Sequence, residues 1–212
     1  DHVDGLVTLA AAKRLGKDRT CRLIGFVSEP LKSKTKKGND QLRFDREKFL
    51  RENPEFVPKL VETFKSARGN DPKVVQYVSQ VLSLGGGPEA SEVLLDTLRE
   101  GGSPEQDIFV MIALGKLREA HAVPPILGRI GSSDPGVKYA ALFSLGFFDD
   151  DAAVKALKQA LSDPDPLAGW NAAFSLARLS APQGAAKHRE AVPVLKRLLD
   201  LDFVERVARG RP

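Results

Sequence analysis

The sequence contains a single cysteine, Cys21, among its 212 residues. One cysteine excludes an internal disulfide and any metal site that needs several thiolates. Histidine is also scarce: His2, His121 and His188 are far apart, and no His-x-x-x-His, His-Glu or Cys-His pair occurs in the sequence. We therefore expect no zinc site. We expect Cys21 to behave as a small apolar side chain on a buried helix face.

Long hydrophobic runs are absent as well. No apolar run approaches the ~18 residues that a membrane-spanning helix needs. The first residues, DHVD, lack the basic segment and the apolar stretch of a signal peptide, and they lack an initiator Met. A processed chain or a fragment would start in this way. We expect a cytoplasmic protein, and removal of a secretion signal would be consistent with the same start.

Positive charge is in excess only in the first third of the chain. Residues 1–70 carry 16 Lys and Arg against 10 Asp and Glu, whereas residues 71–212 carry 16 against 18. Proteins that bind nucleic acid need a basic surface to neutralise phosphates. The near-neutral remainder of the chain therefore argues against nucleic acid as the partner.

The excess positive charge is concentrated in the segment LKSKTKKGND, whose lysines are Lys32, Lys34, Lys36 and Lys37. Two interpretations stay open: an arm that binds phosphate or an acidic surface, and a solvated loop between helices. No aromatic residue or arginine is interleaved with these lysines, so the stacking partners of a single-strand binder are missing. We favour the solvated loop.

The sequence does contain an internal repeat. Three segments align without gaps at an offset of 31 residues, and a fourth fits upstream at an offset of 32: DPKVVQYVSQVLSLG (71–85), SPEQDIFVMIALGKL (103–117), DPGVKYAALFSLGFF (134–148) and DPLAGWNAAFSLARL (165–179). The residues six and ten positions after the shared proline are apolar in every copy: Val78, Val110, Ala141, Ala172, Leu82, Leu114, Leu145 and Leu176. These two positions lie one helical turn apart, so we expect them to share a buried face.

Each copy predicts the first helix of a hairpin. An Asp or Ser caps free N–H groups, and the proline that follows occupies the first turn, where its missing N–H costs nothing. Nine residues after the proline three copies have a small residue, which would let a second helix approach closely: Ala113, Ser144 and Ser175. We expect Gly115 and Gly146 to loosen or end the first helix.

A second helix is predicted after each first helix by the pattern Val-x-x-Leu/Ile-x-x-x-Leu/Ile. Its expected core positions are Val57, Leu60 and Phe64; Ser91, Leu94 and Leu98; Val123, Ile126 and Ile130; Val154, Leu157 and Leu161; and Val192, Leu195 and Leu199. One hairpin cannot bury its own apolar face, so neighbouring hairpins must stack. We predict an all-α fold, an α-solenoid (superhelix) of stacked antiparallel helical hairpins.

The Asp-Pro-x-Val…Ala…Leu-Gly pattern, best seen at 134–146, resembles HEAT repeats. The 31-residue period is similar to the short bacterial HEAT-like or bilin-lyase-type repeats. The anchor residues of tetratricopeptide and ankyrin repeats are missing. The resemblance covers residues 53–200 and implies a HEAT-like, armadillo-like helical array. The Arg that usually follows Val in the first helix appears only as Lys138, so we do not expect a complete Asp–Arg ladder along the stack.

The first part of the chain does not repeat cleanly. We predict helices at 3–16 and 18–28 and a basic inserted loop at about 29–47, although RLIGFV and QLRF could instead pair as a β-hairpin. The expected organisation is N-terminal helices of the solenoid with this loop in 1–52, HEAT-like repeats in 53–200, and the start of a further helix in 201–212.

No residue pattern points to catalysis, a cofactor or a metal. Gly85–Gly87 precede Pro88 rather than Lys-Ser/Thr, so they predict a turn and not a phosphate loop. Asp149–Asp151 are expected to cap a second helix rather than to bind a cation. Tyr139 and Trp170 occupy equivalent positions in consecutive copies, which is typical of packing between repeats.

The resemblance implies a protein-interaction scaffold, bacterial and not an enzyme, that binds its partner on a concave face lined by second helices. The exposed candidates on that face are Lys59, Arg129, Lys155, Lys158, Lys196 and Arg197. They would suit an acidic peptide or protein surface, and a solvated polar face is the alternative. Two other functions stay open: a bilin-lyase-like or other enzyme-associated subunit, and a nucleic-acid binder similar to HEAT-like DNA glycosylases.

Overall fold

The computed structural model describes residue 48, residues 50–180 and residues 188–209. Residues 48 and 50–52 are helical. The α-helices that lie wholly within these ranges are α1 (Phe56–Ala67), α2 (Pro72–Leu82), α3 (Gly87–Glu100), α4 (Pro104–Leu117), α5 (Val123–Leu127), α6 (Pro135–Leu145), α7 (Asp151–Ala160), α8 (Pro166–Ser180), α9 (Ala191–Lys196) and α10 (Leu201–Ala208). Short 3₁₀ helices occupy Ala120–Ala122 and Arg197–Leu199, and these ranges contain no strand. The helices predicted at 3–16 and 18–28, the alternative hairpin and the basic inserted loop lie outside the described residues.

The predicted caps form at the helix starts. The Asp71 carboxylate accepts hydrogen bonds from the backbone N–H groups of Lys73 and Val74 at the start of α2. Asp134 accepts from Val137 N–H at the start of α6, and Pro72 and Pro135 occupy the first turns of their helices. These bonds satisfy donors that no helical carbonyl can reach.

The chain forms two compact units, Asp1–Ala113 and Leu114–Pro212, which we name unit 1 and unit 2. The division falls inside α4 rather than between hairpins. The domain organisation expected from the sequence, with limits at residues 52 and 200, stays a prediction.

Unit 1 places two second helices side by side. The second helix α1 packs on the first helix α2 and also on the next second helix, α3. Their shared core includes Leu60, Phe64, Leu94 and Leu98, all of which are buried. The Gly85–Gly87 segment joins α2 to α3 as the predicted turn, and Gly87 has a φ of +63°, which glycine adopts without strain.

Unit 2 repeats this arrangement in two layers. The first helices α6 and α8 pack on each other, and so do the second helices α5 and α7. Each second helix also packs on a neighbouring first helix, as α7 does on α8 and α9 does on α8. The prediction of an all-α, HEAT-like fold of stacked antiparallel hairpins is confirmed. All eight repeat positions predicted to form the core are at most 2% exposed: Val78, Leu82, Val110, Leu114, Ala141, Leu145, Ala172 and Leu176.

The core predicted for the last second helix is wrong. Val192 is 41% exposed and Leu199 is 82% exposed, and only Ala191 is buried in α9. For Leu199 the reason is that α9 ends at Lys196 and the chain continues as a 3₁₀ helix through Leu199. The tighter winding of a 3₁₀ helix moves Leu199 away from the face that a continuous α-helix would have given it.

Small residues lie where successive first helices of unit 2 meet. A Cβ atom added to Gly115 would lie 3.1 Å from Ser144 O, and one added to Gly146 would lie 2.5 Å from Ser175 Cβ. The helix that approaches Ser144 and Ser175 is therefore the preceding first helix, and the expectation of a second helix at these positions is wrong. Gly146 ends α6 as predicted, but Gly115 lies within α4, which continues to Leu117.

The close approach at Gly146 makes a testable prediction. Gly146→Ala should reduce the free energy of unfolding by about 1–3 kcal/mol, because the new methyl group overlaps Ser175 and Arg178. Urea unfolding followed by circular dichroism would measure the change. Gly131→Ala is the matched control, since a Cβ at Gly131 meets no heavy atom within 4 Å. Equal unfolding of the two variants would contradict the packing described here.

Candidate partner-binding surfaces

Four of the six cations predicted to bind a partner lie on the second helices of unit 2. Lys155 and Lys158 are exposed on α7, Lys196 ends α9, and Arg197 begins the 3₁₀ helix that follows. Val192 lies one turn before Lys196 on α9, so the two side chains share a face. We name Lys155, Lys158, Val192, Lys196 and Arg197 the cationic surface.

The remaining two predicted cations are less accessible. Arg129 is half-buried in the turn after α5, and Lys59 is half-buried on α1. Lys59 belongs to unit 1, so the structure does not group it with the others. The six residues stay a predicted site, and only the four on α7, on α9 and at the start of the following 3₁₀ helix are exposed.

Lys158 is engaged in an ion pair that the sequence did not predict. Its ammonium lies 2.8 Å from Glu190 Oε1, which joins α7 to the residue before α9. This hydrogen bond is the main reason why the pKa of Glu190 lies below its ordinary value. Lys155 and Lys196 form no ion pair with the part of the chain that the structure describes. Their charges are therefore available to a partner.

A groove of about 430 Å³ runs between the second helices α1 and α3 of unit 1. Val61 and Val93 form its apolar floor and are only 4% and 6% exposed. The α1 wall contributes Lys65 and Arg68, and the α3 wall contributes four acids: Glu89, Glu92, Asp96 and Glu100. We name this feature the α1–α3 groove.

The charge of the α1–α3 groove is opposite to the expectation of a basic second-helix face. Arg68 donates to Glu100 at 2.8 Å and to Thr97 Oγ1 at 3.2 Å, which neutralises one of the four carboxylates. The signal was present in the sequence, because 89, 92, 96 and 100 are spaced for one helix face. The predicted site included only cations, so these four acids were not part of it.

Two polar links join consecutive repeats of unit 2. Lys138 Nζ lies 2.6 Å from Asp163 Oδ2, and Tyr139 donates a hydrogen bond of 2.5 Å to Asp165. Lys138 thus forms one ion pair of the kind that makes an Asp–Arg ladder, although a complete ladder along the stack was not expected. Burial, reinforced by the bond to Asp165, raises the pKa of Tyr139 to about 12.

Asp163 has a pKa below its ordinary value. Burial alone would raise this pKa, but the hydrogen bond and charge of Lys138, together with the Asp165 N–H, outweigh burial. The carboxylate is therefore stabilised in its charged form by groups that belong to the folded state.

Arg178 of α8 holds the C-terminal end of α6. Its guanidinium donates to Gly146 O at 3.0 Å and to Phe143 O at 2.5 Å, and it lies 3.9 Å above the Phe147 ring centroid. Phe143 O also accepts a hydrogen bond from Gly146 N–H at 3.3 Å. The cation adds a charged donor at the last carbonyls of α6 and interacts favourably with the helix dipole. Burial lowers the pKa of Arg178, although an arginine stays charged.

The equivalent aromatic residues pack between repeats, as predicted. Tyr139 contacts Asp165 of the following repeat, and Trp170 contacts Phe203 of α10, with ring centroids 6.0 Å apart.

The remaining acid and histidine residues singled out in the sequence make local contacts. Asp150 caps α7 by accepting a hydrogen bond from Ala153 N–H at 2.9 Å, which confirms the capping role of the Asp149–Asp151 run. His121 Nδ1 lies 2.8 Å from Glu119 Oε1, a contact that the sequence did not predict. The folded chain allows this because only one residue separates the two. No group of three or more His, Cys, Asp or Glu suited to a metal occurs among the described residues.

The family described as HEAT repeats matches residues 91–177 and, in an overlapping register, residues 123–210. Together the two matches span more than half of the chain. The chain belongs to the HEAT-repeat family. No curated protein matches it. Within the described ranges of this HEAT-repeat protein, no helix is both long and apolar enough to cross a membrane. Lys32, Lys34, Lys36 and Lys37 lie outside those ranges.

The Lys138–Asp163 pair predicts an acid-dependent stability. Since the pKa of Asp163 is lowered on folding, its contribution is present above its unfolded pKa of about 4 and is lost as the pH falls through the folded value. Asp163→Asn should cost about 1 kcal/mol at neutral pH and progressively less in acid. Urea unfolding at neutral pH and near pH ~3 would measure both differences. Asp96→Asn, in an exposed pair, is the control, and a cost independent of pH would contradict the prediction.

Proposed function

We propose that this HEAT-repeat protein is a non-enzymatic scaffold whose cationic surface binds an acidic segment of another protein. Membership of the family supports a binding role, because stacked repeats present extended surfaces to partners. The second helices are also the layer expected to face a partner in such arrays. A fold alone does not assign a function, so the proposal depends on the surface itself.

The observation that carries the proposal is the exposure of Lys155 and Lys196 on second helices of consecutive hairpins, with no ion pair to the described residues. Val192 is 41% exposed on the same face as Lys196. An acidic segment with a spaced apolar residue would pair its carboxylates with the lysines and cover Val192. The Lys158–Glu190 pair would fix the position of α9 against α7 beneath it.

Charge reversal tests this surface. The variant Lys155→Glu with Lys196→Glu should capture at least about tenfold less of the specific partner from a lysate of the source cell, because both attractive charges become repulsive. Quantitative mass spectrometry of proteins retained on the immobilised full chain would measure the loss. Lys158 is left unchanged, because its reversal would oppose Glu190 and disturb packing.

A matched control separates site-specific loss from a general effect of charge. Arg51→Glu with Lys73→Glu makes the same change in net charge at exposed residues of unit 1. Retention of the partner by this control, with loss in the Lys155 and Lys196 variant, supports the proposal. Equal retention by both variants would refute the cationic surface as the binding site.

A further inference from the structure

We propose that the α1–α3 groove is a second docking site, which binds a basic segment of a protein through an inserted Arg or Lys side chain. This inference does not depend on the proposed function. The α1–α3 groove belongs to unit 1 and is acidic, whereas the cationic surface belongs to unit 2.

The shape of the groove suits a long cationic side chain. Its floor is apolar, since Val61 and Val93 are the residues at its base, and its rim is charged. The volume of about 430 Å³ lies within the range of ligand pockets. Arg and Lys bury a methylene stem against apolar surface and keep the charged end at a polar rim. A purely apolar side chain would suit only the floor, and an acidic side chain would be repelled by the carboxylates of the rim.

The charges of the groove select the sign of the partner. Four carboxylates line it against two cations, and Arg68 is bound to Glu100 and Thr97. Among the described residues, Asp96 forms an ion pair only with the exposed Arg99, at 3.5 Å. Glu89 and Glu92 form no ion pair with any described residue, and Lys65 on the opposite wall also forms none. Glu89 and Glu92 are therefore left to attract a cation from a bound partner, with Asp96 only weakly engaged.

A protein segment fits these features better than a metal ion. The described residues hold no group of His, Cys, Asp or Glu that could coordinate a metal, because the acids of α3 are spread along the helix. Carboxylates at 89, 92 and 96 extend over two helical turns, which matches successive basic residues of a bound segment. A guanidinium could bind one of them in a bidentate manner.

The experiment uses the full chain and a fluorescent peptide in which Ser and Arg alternate. A control peptide replaces each Arg with citrulline, which keeps the shape and removes the charge. Fluorescence anisotropy should show saturable binding of the arginine peptide and at least tenfold weaker binding of the citrulline peptide. Raising the ionic strength from about 0.01 to about 0.15 M should weaken the binding, since the Debye length falls from about 30 to about 8 Å. No saturation up to about 1 mM arginine peptide would overturn the proposal.

Variants locate the binding. Glu92→Gln with Asp96→Asn keeps the side-chain shapes and should weaken the binding of the arginine peptide about three- to tenfold. Glu105→Gln, at an exposed position outside the groove, should change the affinity less than twofold. Equal affinity of the double variant and the parent chain would overturn the proposal.

A second measurement is independent of affinity. Carbodiimide coupling of a peptide with Lys in place of Arg should modify Glu89, Glu92 or Asp96, and coupling mainly at other acids would also overturn the inference. The Lys155→Glu, Lys196→Glu variant should bind the arginine peptide as the parent chain does. A failure of the groove and a failure of the cationic surface are therefore distinguishable.

Discussion

The close approach of successive first helices in unit 2 is the constraint on which the other contacts depend. It exists because the residues between these helices have almost no side chain: Gly146 faces Ser175, and Ser175 Oγ donates to Leu142 O at 2.8 Å. At a larger separation Arg178 would not reach the end of α6. The size of a few residues therefore sets the geometry in which the polar links between repeats can form.

The same repeat geometry presents surfaces of opposite charge. Second helices of unit 2 expose lysines, whereas α3 of unit 1 exposes a row of carboxylates. The buried positions that specify the hairpins are alike in both units, so the exposed positions can vary without affecting the fold. The charge of the exposed second-helix face therefore differs between the units while the core of the hairpins is kept.

The fold was predictable because its signals are local. Proline with a preceding Asp marks helix starts, and a repeated apolar spacing marks the buried face, so Leu145 and Leu176 were assigned correctly. The exposure of Leu199 was not predictable, because it depends on a change from α-helical to 3₁₀ winding that no residue in the sequence indicates. The contacts between repeats could not be predicted from the sequence either. The pairing of Lys158 with Glu190 across 32 positions requires the stacked geometry, and one sequence repeat says nothing about it.

Arg178 has a consequence for how the repeats melt. The cation belongs to one hairpin and the carbonyls that it caps belong to the hairpin before it, so part of the stability of each repeat resides in the interface. Arrays of this kind behave as a one-dimensional chain of coupled elements, in which interface terms decide how many neighbours unfold together. Opening of α8 would expose the end of α6 and withdraw its cap. We therefore expect the two hairpins to unfold together, as a cooperative unit longer than one sequence repeat.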